Sequence, residues 1–294
     1  MSNEYIRIEH FLLKSYNTMG IAACANHAFF PYTAHGCQQV FQDMSSERPI
    51  ILGKGSNTIF QHEIVETPVI ITDLMRSIEF RNNSIICDCG VSLSSLSWFA
   101  LEHSITGFEF LEDIPGAVGG GLYMNAGTYE DTIGKLVDSV LIYDSERKET
   151  RTIQRDELSM GWGKRESCFQ HNPWFIIQCC FKATERKEYD QILSVMLETK
   201  EKRYLKQPRE YPSAGSVFKR PYVNGEPKYV WKLLDEAGLR GYRIGGAQVS
   251  EKHPGFIINA DNASGQDVVD LMNHCKETVM NVFGIEIEEE WKII

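Results

Sequence analysis

GFEFLEDIPGAVGGGLYMNAGTY, running from Gly107 to Tyr129, packs Gly116, Gly119, Gly120, Gly121 and Gly127 around Pro115 and closes on Met124-Asn125-Ala126-Gly127. Glycines at this density let a backbone approach a ligand closely and adopt positive φ, which side chains forbid. The N–H groups of such a turn suit an anionic or carbonyl-bearing group. Taken alone, the stretch reads equally well as a tight structural turn between two elements. No strand–GxGxxG–helix unit contains it, and strands outnumber helices before residue 185, which argues against a doubly wound dinucleotide fold.

Three further segments add support. Ile51-Leu52-Gly53-Lys54-Gly55-Ser56-Asn57 follows the apolar run Pro49–Leu52, so a strand delivers a glycine loop that ends in hydrogen-bonding side chains. Tyr211-Pro212-Ser213-Ala214-Gly215-Ser216-Val217-Phe218-Lys219 sets a hydroxyl among small residues, with a lysine three positions on. Gly245-Gly246-Ala247-Gln248-Val249-Ser250-Glu251-Lys252-His253 leads into a strand-like Phe256–Asn259. In this order, from Tyr16-Asn17-Thr18 to Glu290, the four motifs resemble the UDP-N-acetylenolpyruvoylglucosamine reductase family of flavoenzymes over nearly the whole chain.

A chain of 294 residues is long for one core and predicts two or three domains. Hydrophobic residues at 43% and charged residues at 24% are the balance of a soluble globular protein. The net charge of −10 argues against a nucleic-acid partner, and an anionic nucleotide ligand would need local Lys and Arg clusters against that sign. No apolar run approaches the roughly 20 residues that span a bilayer. Met1–His10 has acidic residues and no apolar core, unlike a signal peptide, so a cytoplasmic protein without membrane insertion is expected. Eight cysteines without paired CxxC spacing predict buried reduced thiols, with Cys87, Cys89, Cys179 and Cys180 in strand-like runs, and no metal site.

Pro49–Leu52, Val69–Thr72, Ser84–Cys89, Ser139–Asp144 and Trp174–Phe181 read as strands. Leu93, Leu96, Phe99 and Ala100 recur at helical spacing, and Glu188–Tyr204 is helical by periodicity. Pro208, Pro212, Pro221 and Pro227 mark a boundary near Gln207. Val230–Ala237 predicts a short helix closed by Gly238, and Ser264 with Asp267 a capping box opening a helix over Val268–Phe283. Ile285–Ile294 alternates apolar and acidic residues like a strand.

The resemblance implies an α+β fold. It sets an FAD-binding PCMH-type (vanillyl-alcohol-oxidase-like) domain over 1–205, in subdomains of about 1–70 and 71–205, before a C-terminal α+β substrate-binding domain over 206–294. The last strand, about 285–294, would return to the flavin domain. The resemblance further implies non-covalent FAD, NADPH as co-substrate, and a monomer that reduces UDP-N-acetylglucosamine enolpyruvate to UDP-N-acetylmuramate for peptidoglycan. Gly53, Lys54, Gly55, Ser56 and Asn57 would hold the FAD pyrophosphate. Ile114, Pro115, Gly116, Gly119, Gly120, Asn125, Ala126 and Gly127 would line its isoalloxazine and diphosphate. Lys54 stands where the family usually has glycine. Glu112 and Asp113 stand where many relatives have a small residue, and read as facing solvent.

Ser216 would be the proton donor, because hydride addition to the enolpyruvyl methylene leaves a carbanion that must be protonated at the neighbouring carbon. Outside this motif, a serine beside Gly215 reads as a turn residue. Glu290 would help stabilise the enolic intermediate, with Glu288 on its strand face and Glu289 opposite; a solvated acidic face is the plain alternative. Arg165, in Lys164-Arg165-Glu166-Ser167-Cys168-Phe169, fits the family's Tyr-Arg-x-Ser-x-Phe apart from Lys164, and its fork suits a carboxylate. Lys219, Arg220 and His253 would meet the UDP diphosphate and sugar, with Lys206, Arg209 and Arg240 open as substitutes. The short span from Arg165 to Ser216 matches the shorter, type II form of the family. Two other readings stay open on sequence: a different PCMH-type flavin oxidoreductase, and a catalytically silent nucleotide-sugar or flavin-binding protein.

Overall fold

The computed structural model describes residues 3–44, 48–127, 131–160 and 166–294. Seven α-helices occur among them: α1 (Ala34–Asp43), α2 (Leu93–Glu102), α3 (Val118–Tyr123), α4 (Ile133–Leu136), α5 (Tyr189–Lys206), α6 (Val230–Glu236) and α7 (Gly265–Phe283). The chain divides into two compact units. The first comprises Met1–Glu9, His27–Lys54 and Thr67–Arg203; the second comprises His10–Asn26, Gly55–Glu66 and Tyr204–Ile294.

In the first unit, Val69–Ile71 runs parallel between Cys24–Pro31 and Ile50–Leu52, with Ala28 opposite Val69 and Ile51 opposite Ile70. A central parallel strand is covered on both faces, and Val69, Ile70 and Ile71 are accordingly all buried. Helix α1 makes the crossover that two parallel strands require, and its first turn is capped by the Thr33 hydroxyl, which accepts from the Gly36 N–H at 2.9 Å.

A five-stranded antiparallel sheet follows, in the order Glu149–Gln154, Val137–Asp144, Trp174–Lys182, Ser84–Asp88, Ile78–Arg81. Ile85, Cys87, Val140, Ile142, Cys179 and Phe181 from this sheet share one core with Leu93, Leu96 and Ala100 of α2 and Val118 and Leu122 of α3. The glycine stretch is therefore partly a helix, although glycine is a poor helix former. A Cβ at Gly119 would stand 2.9 Å from that of Cys89, and one at Gly121 3.0 Å from Leu93. Missing side chains let α3 lie directly on the sheet end and on α2.

In the second unit, Ser213–Ser216, Phe256–Asn259, Ala247–Val249 and Arg243–Ile244 form an antiparallel sheet in that order. Helix α7 packs beside it and buries Val268, Leu271, Met272, Cys275 and Val279. The Ser264–Asp267 capping box is present in both directions, and Gly284 closes the helix at φ 66°. Tyr222–Val223 and Glu226–Pro227 form a hairpin over Asn224 and Gly225, at φ 53° and 81°, the residue pair that such a turn favours.

The expected α+β class is what the chain adopts; one strand is new and one local expectation changes. Tyr5–Leu12, unread in the sequence, is an edge strand; Ile6 and Ile8 alternate with Arg7 and Glu9, but the strand is mostly exposed, so the alternation does not mark a buried face. The last ten residues are not one strand. Only Lys292–Ile293 pairs, parallel to Thr58–Ile59, and ahead of it Glu289 makes one isolated bridge to Phe218. The buried anchors there are Ile287 and Trp291, four residues apart and so on one face of an extended chain: the alternation is kept, but most of the segment has no ladder partner. No described helix is long and apolar enough to cross a membrane.

Candidate active site

Gly53 and Lys54 leave the Ile50–Leu52 strand in the first unit. A Cβ on Gly53 would stand 3.2 Å from Ala117, so this loop end and the glycine stretch lie side by side. Lys54 Nζ sits 2.6 Å from the Asp73 carboxylate, which Arg76 also holds at 2.6 Å. Burial pushes the Asp73 carboxyl up, but Lys54 and Arg76 outweigh it and hold the group below the ordinary carboxylate range. The lysine that departs from the glycine pattern is thus committed to a carboxylate.

Gly116 adopts φ 148° and Pro115 is exposed. Gly120 is exposed too, and a Cβ there would meet nothing within 4 Å. No packing among the described residues accounts for that glycine. It leaves a bare stretch of α3 that a planar ring or a phosphate group fits, which is what the chemistry of FAD asks of a small-residue cradle. Asn125 and Gly127 also have contacts within the chain. Asn125 is buried at φ 44° and its Oδ1 accepts from the Gly134 N–H at 3.2 Å, while a Cβ on Gly127 would stand 2.0 Å from the Asp131 carbonyl. Ala126 bonds Gly121 and Ile133 through its backbone, and the Ile114 N–H reaches Leu111.

Arg165 and Lys164 lie outside the described residues. The rest of their motif is described: the Ser167 hydroxyl and the Gln170 amide donate to the Tyr123 carbonyl at 2.7 and 2.8 Å, anchoring the end of α3. Glu112 does not face solvent. It is 2% exposed, and its Oε1 is 3.1 Å from Lys200 Nζ.

The second unit begins its share of the loop at Gly55, where φ is 59° and a Cβ would stand 2.3 Å from the Tyr16 carbonyl. Buried Asn17 backs this contact and is itself held by the Leu13 and Ile21 carbonyls. Asn57 Nδ2 donates to the Glu290 carbonyl at 3.0 Å, and the Glu290 N–H donates to the Val217 carbonyl at 2.7 Å. The Ser56 carbonyl lies 4.0 Å from where a Gly215 Cβ would be.

Ser216 owes its exposure to a bulge. Ser213 pairs with Ile258 and Ser216 with Phe256, so the strand holds one extra residue, and Gly215 takes up the difference at φ 78°. Ala214 and Val217 are buried while Ser216 between them is exposed. Trp291, which the sequence reading passed over, fixes the bulge by donating its indole N–H to the Ala214 carbonyl at 2.8 Å. A buried aromatic directly after Glu290 was its available signal. Ser56, Asn57, Ser216 and Glu290 thus converge in this unit.

The proposed diphosphate ligands are less gathered. Lys219 Nζ stands 3.2 Å from Glu288, and Glu289 is 2.7 Å from Lys276, so the neighbouring carboxylates serve different lysines. Lys276 holds the Glu289 carboxyl below its ordinary range. The Arg220 guanidinium lies 4.5 Å from the Tyr229 ring centroid. Burial lowers the His253 pKa, and its Nδ1 accepts from the Gly255 N–H at 3.1 Å, so the ring is a neutral acceptor on that side. The His253 carbonyl bonds the N–H of Phe256, the strand partner of Ser216. Arg240 is committed to Asp235 by two bonds of 2.7 Å, and Lys252 to the Tyr204 carbonyl. The Gly245-Gly246 turn serves α7, since a Cβ on Gly245 would stand 2.4 Å from the Asp267 carboxylate. All eight cysteines are unpaired, and no cluster of three or more metal-binding side chains occurs among the described residues.

Residues 207–294 match the C-terminal domain of UDP-N-acetylenolpyruvoylglucosamine reductase, and residues 28–145 match an FAD binding domain. A UDP-N-acetylenolpyruvoylglucosamine reductase of Caldanaerobacter subterraneus subsp. tengcongensis is 38% identical over 83% of this chain and 78% of that protein. UDP-N-acetylenolpyruvoylglucosamine reductase 2 of Bacillus cereus is 39% identical over 83% of this chain and 77% of its own. The solved UDP-N-acetylenolpyruvylglucosamine reductase (MurB) of Thermus caldophilus superposes with a TM-score of 0.81, at 26% identity, over 98% of each chain. An FAD-binding domain followed by this C-terminal domain, with close relatives along most of its length, shows that the chain belongs to the UDP-N-acetylenolpyruvoylglucosamine reductase family.

Proposed function

We propose that this protein reduces UDP-N-acetylglucosamine enolpyruvate to UDP-N-acetylmuramate with NADPH, as a cytoplasmic monomer that supplies peptidoglycan precursor. The observation that carries the reading is Ser216, exposed on a glycine bulge and braced by the segment that bears Glu290, in a chain of this family. Residues 1–205 are assigned to FAD and 206–294 to substrate.

When bound, FAD supplies the two-electron exchange between NADPH and the enolpyruvyl double bond. Gly53–Asn57, Ile114–Gly120 and Asn125–Gly127 hold it through backbone N–H groups and bare backbone surface. The substrate gains a hydride at its methylene carbon and a proton at the carbon beside the carboxylate. Ser216 Oγ gives that proton. Arg165 holds the carboxylate with its two-pronged fork, and Glu290 stabilises the enolic form. Lys219, Arg220 and His253 take the UDP diphosphate and sugar, with Lys219 exchanging Glu288 for phosphate.

Purified protein should be yellow, release FAD on acid precipitation, bleach on anaerobic NADPH addition, and recover colour when the enolpyruvyl substrate is added. Release of FMN, or flavin that NADPH reduces but this substrate does not reoxidise, would falsify the assignment.

A further inference from the structure

The turn that leads into the glycine stretch is gripped from outside by one helix. Lys200 and Arg203 stand three residues apart on α5, and therefore on one face. Lys200 Nζ is 3.1 Å from Glu112 Oε1, and the Arg203 guanidinium reaches the carbonyls of Phe110 and Asp113, each at 3.4 Å. Between these contacts, Asp113 holds φ 62°, and its N–H is taken by the Ser94 hydroxyl of α2 at 3.1 Å. Glu112 is 2% exposed, and its second oxygen is buried with no hydrogen-bond partner among the described residues.

A carboxylate is costly in that position. Its lysine partner is half exposed, so the attraction is screened while the desolvation is nearly complete. A turn that served only the fold would be more stable with an uncharged side chain. On the far side, the Leu93 N–H donates to the Gly116 carbonyl at 3.1 Å, Val118 to Val91 at 2.8 Å and Gly119 to Cys89 at 2.8 Å. Ile114-Pro115-Gly116 is thus suspended between two anchors, the α5 cations before it and the α2 and Ser84–Asp88 ends after it.

We infer that Glu112, Lys200 and Arg203 are positioning residues for the flavin: they fix the Pro115–Gly116 turn beside the bare surface at Gly120 and so set how tightly FAD is held. The inference rests on the assignment of Gly116–Gly120 to FAD. It gives α5 a task at the cofactor that none of its own side chains need touch.

The test uses full-length Lys200→Met, Lys200→Arg and Arg203→Met proteins. FAD affinity, the visible spectrum of the bound flavin and the unfolding midpoint of the apo form are each measured. Lys200→Met should weaken FAD roughly 10-fold, the scale of coupling within one side-chain network, and should alter the band shape. Lys200→Arg should restore most of both. Arg203→Met removes the two carbonyl bonds and leaves the Lys200–Glu112 pair in place. It should weaken FAD several-fold, and it keeps the test open where Lys200→Met does not fold. Wild-type affinity and spectrum in Arg203→Met, or in a folded Lys200→Met, overturn the inference, even where the unfolding midpoint falls. A wild-type chain that binds no FAD overturns the flavin assignment itself, a separate result.

Discussion

At Gly55 a methyl group would press on the Tyr16 carbonyl at 2.3 Å with φ already 59°, whereas at Gly120 it would meet nothing within 4 Å. One glycine is demanded by the fold; the other, on the proposed function, is kept for FAD. Gly55→Ala should therefore lower unfolding stability by about 1 kcal/mol or more, from the left-handed backbone and the clash together. Gly120→Ala should leave the apo protein as stable or up to about 1 kcal/mol more so, since alanine is the better helix former, yet weaken FAD. Urea unfolding and FAD titration of both variants check this; equal FAD affinity in Gly120→Ala would return that residue to the scaffold. Ser216→Ala should fold and bind FAD. Flavin reduction by NADPH should be near normal, and reoxidation by the enolpyruvyl substrate should slow by roughly 10²–10⁴-fold, with Ser216→Cys recovering part of the loss. Stopped-flow separates the halves, and unchanged reoxidation would reduce Ser216 to a bulge residue. The motif around Ser216 was legible because it is contiguous. The engagement of Lys54 by Asp73 and the burial of Glu112 were not, because each depends on a partner far away in sequence.

Helix α7 shows what a single element can announce. Its capping box and apolar spacing are local to the element, and both were readable in advance. Ser264→Ala should cost about 1 kcal/mol, measured by thermal unfolding, with the effect halved or better in Ser264→Asp. A loss no greater than a few tenths would mean that the Asp267 contact to Gly246 carries the start alone. Helix α3 shows the reverse. Three glycines predict a turn, and only the close approach of Cys89 and Leu93 makes a helix there the better arrangement. The chain's last segment keeps the alternation, with Ile287 and Trp291 buried, but only Lys292–Ile293 finds a strand partner, a long-range choice that the segment's own sequence does not mark.

Across the whole molecule, the buried thiols shape the response to pH. Cys37, Cys87, Cys89 and Cys179 are pushed far up by burial, and Cys275 to about 12. Unfolded thiols ionise near 8.5, so between that pH and the raised native values the unfolded state sheds protons that the folded state keeps. Stability from this source is complete below about 8.5 and should fall steadily as pH rises toward 12. Urea midpoints measured from pH 8 to 11 under reducing conditions check the slope; a flat profile would mean that the thiols ionise in place. Most strands of the antiparallel sheet were visible in apolar runs, while the α+β class was implied by the family resemblance. The segments His10–Asn26 and Gly55–Glu66, which join the second unit from far upstream, were not. Their membership is fixed by pairings such as Lys292 with Thr58 and Asn57 with Glu290, long-range choices that leave no local mark.

Trp291 sits 3% exposed, one residue after Glu290, with its indole bonded to the carbonyl of Ala214. An indole so placed emits at short wavelength, and its emission moves to the red when water reaches it or the bond breaks. Replacing the other four tryptophans by phenylalanine would leave one lamp, lit from inside the bulge that presents Ser216. Rearrangement of that bulge on ligand binding would then be read as a colour change in the protein's own ultraviolet glow, with no label attached.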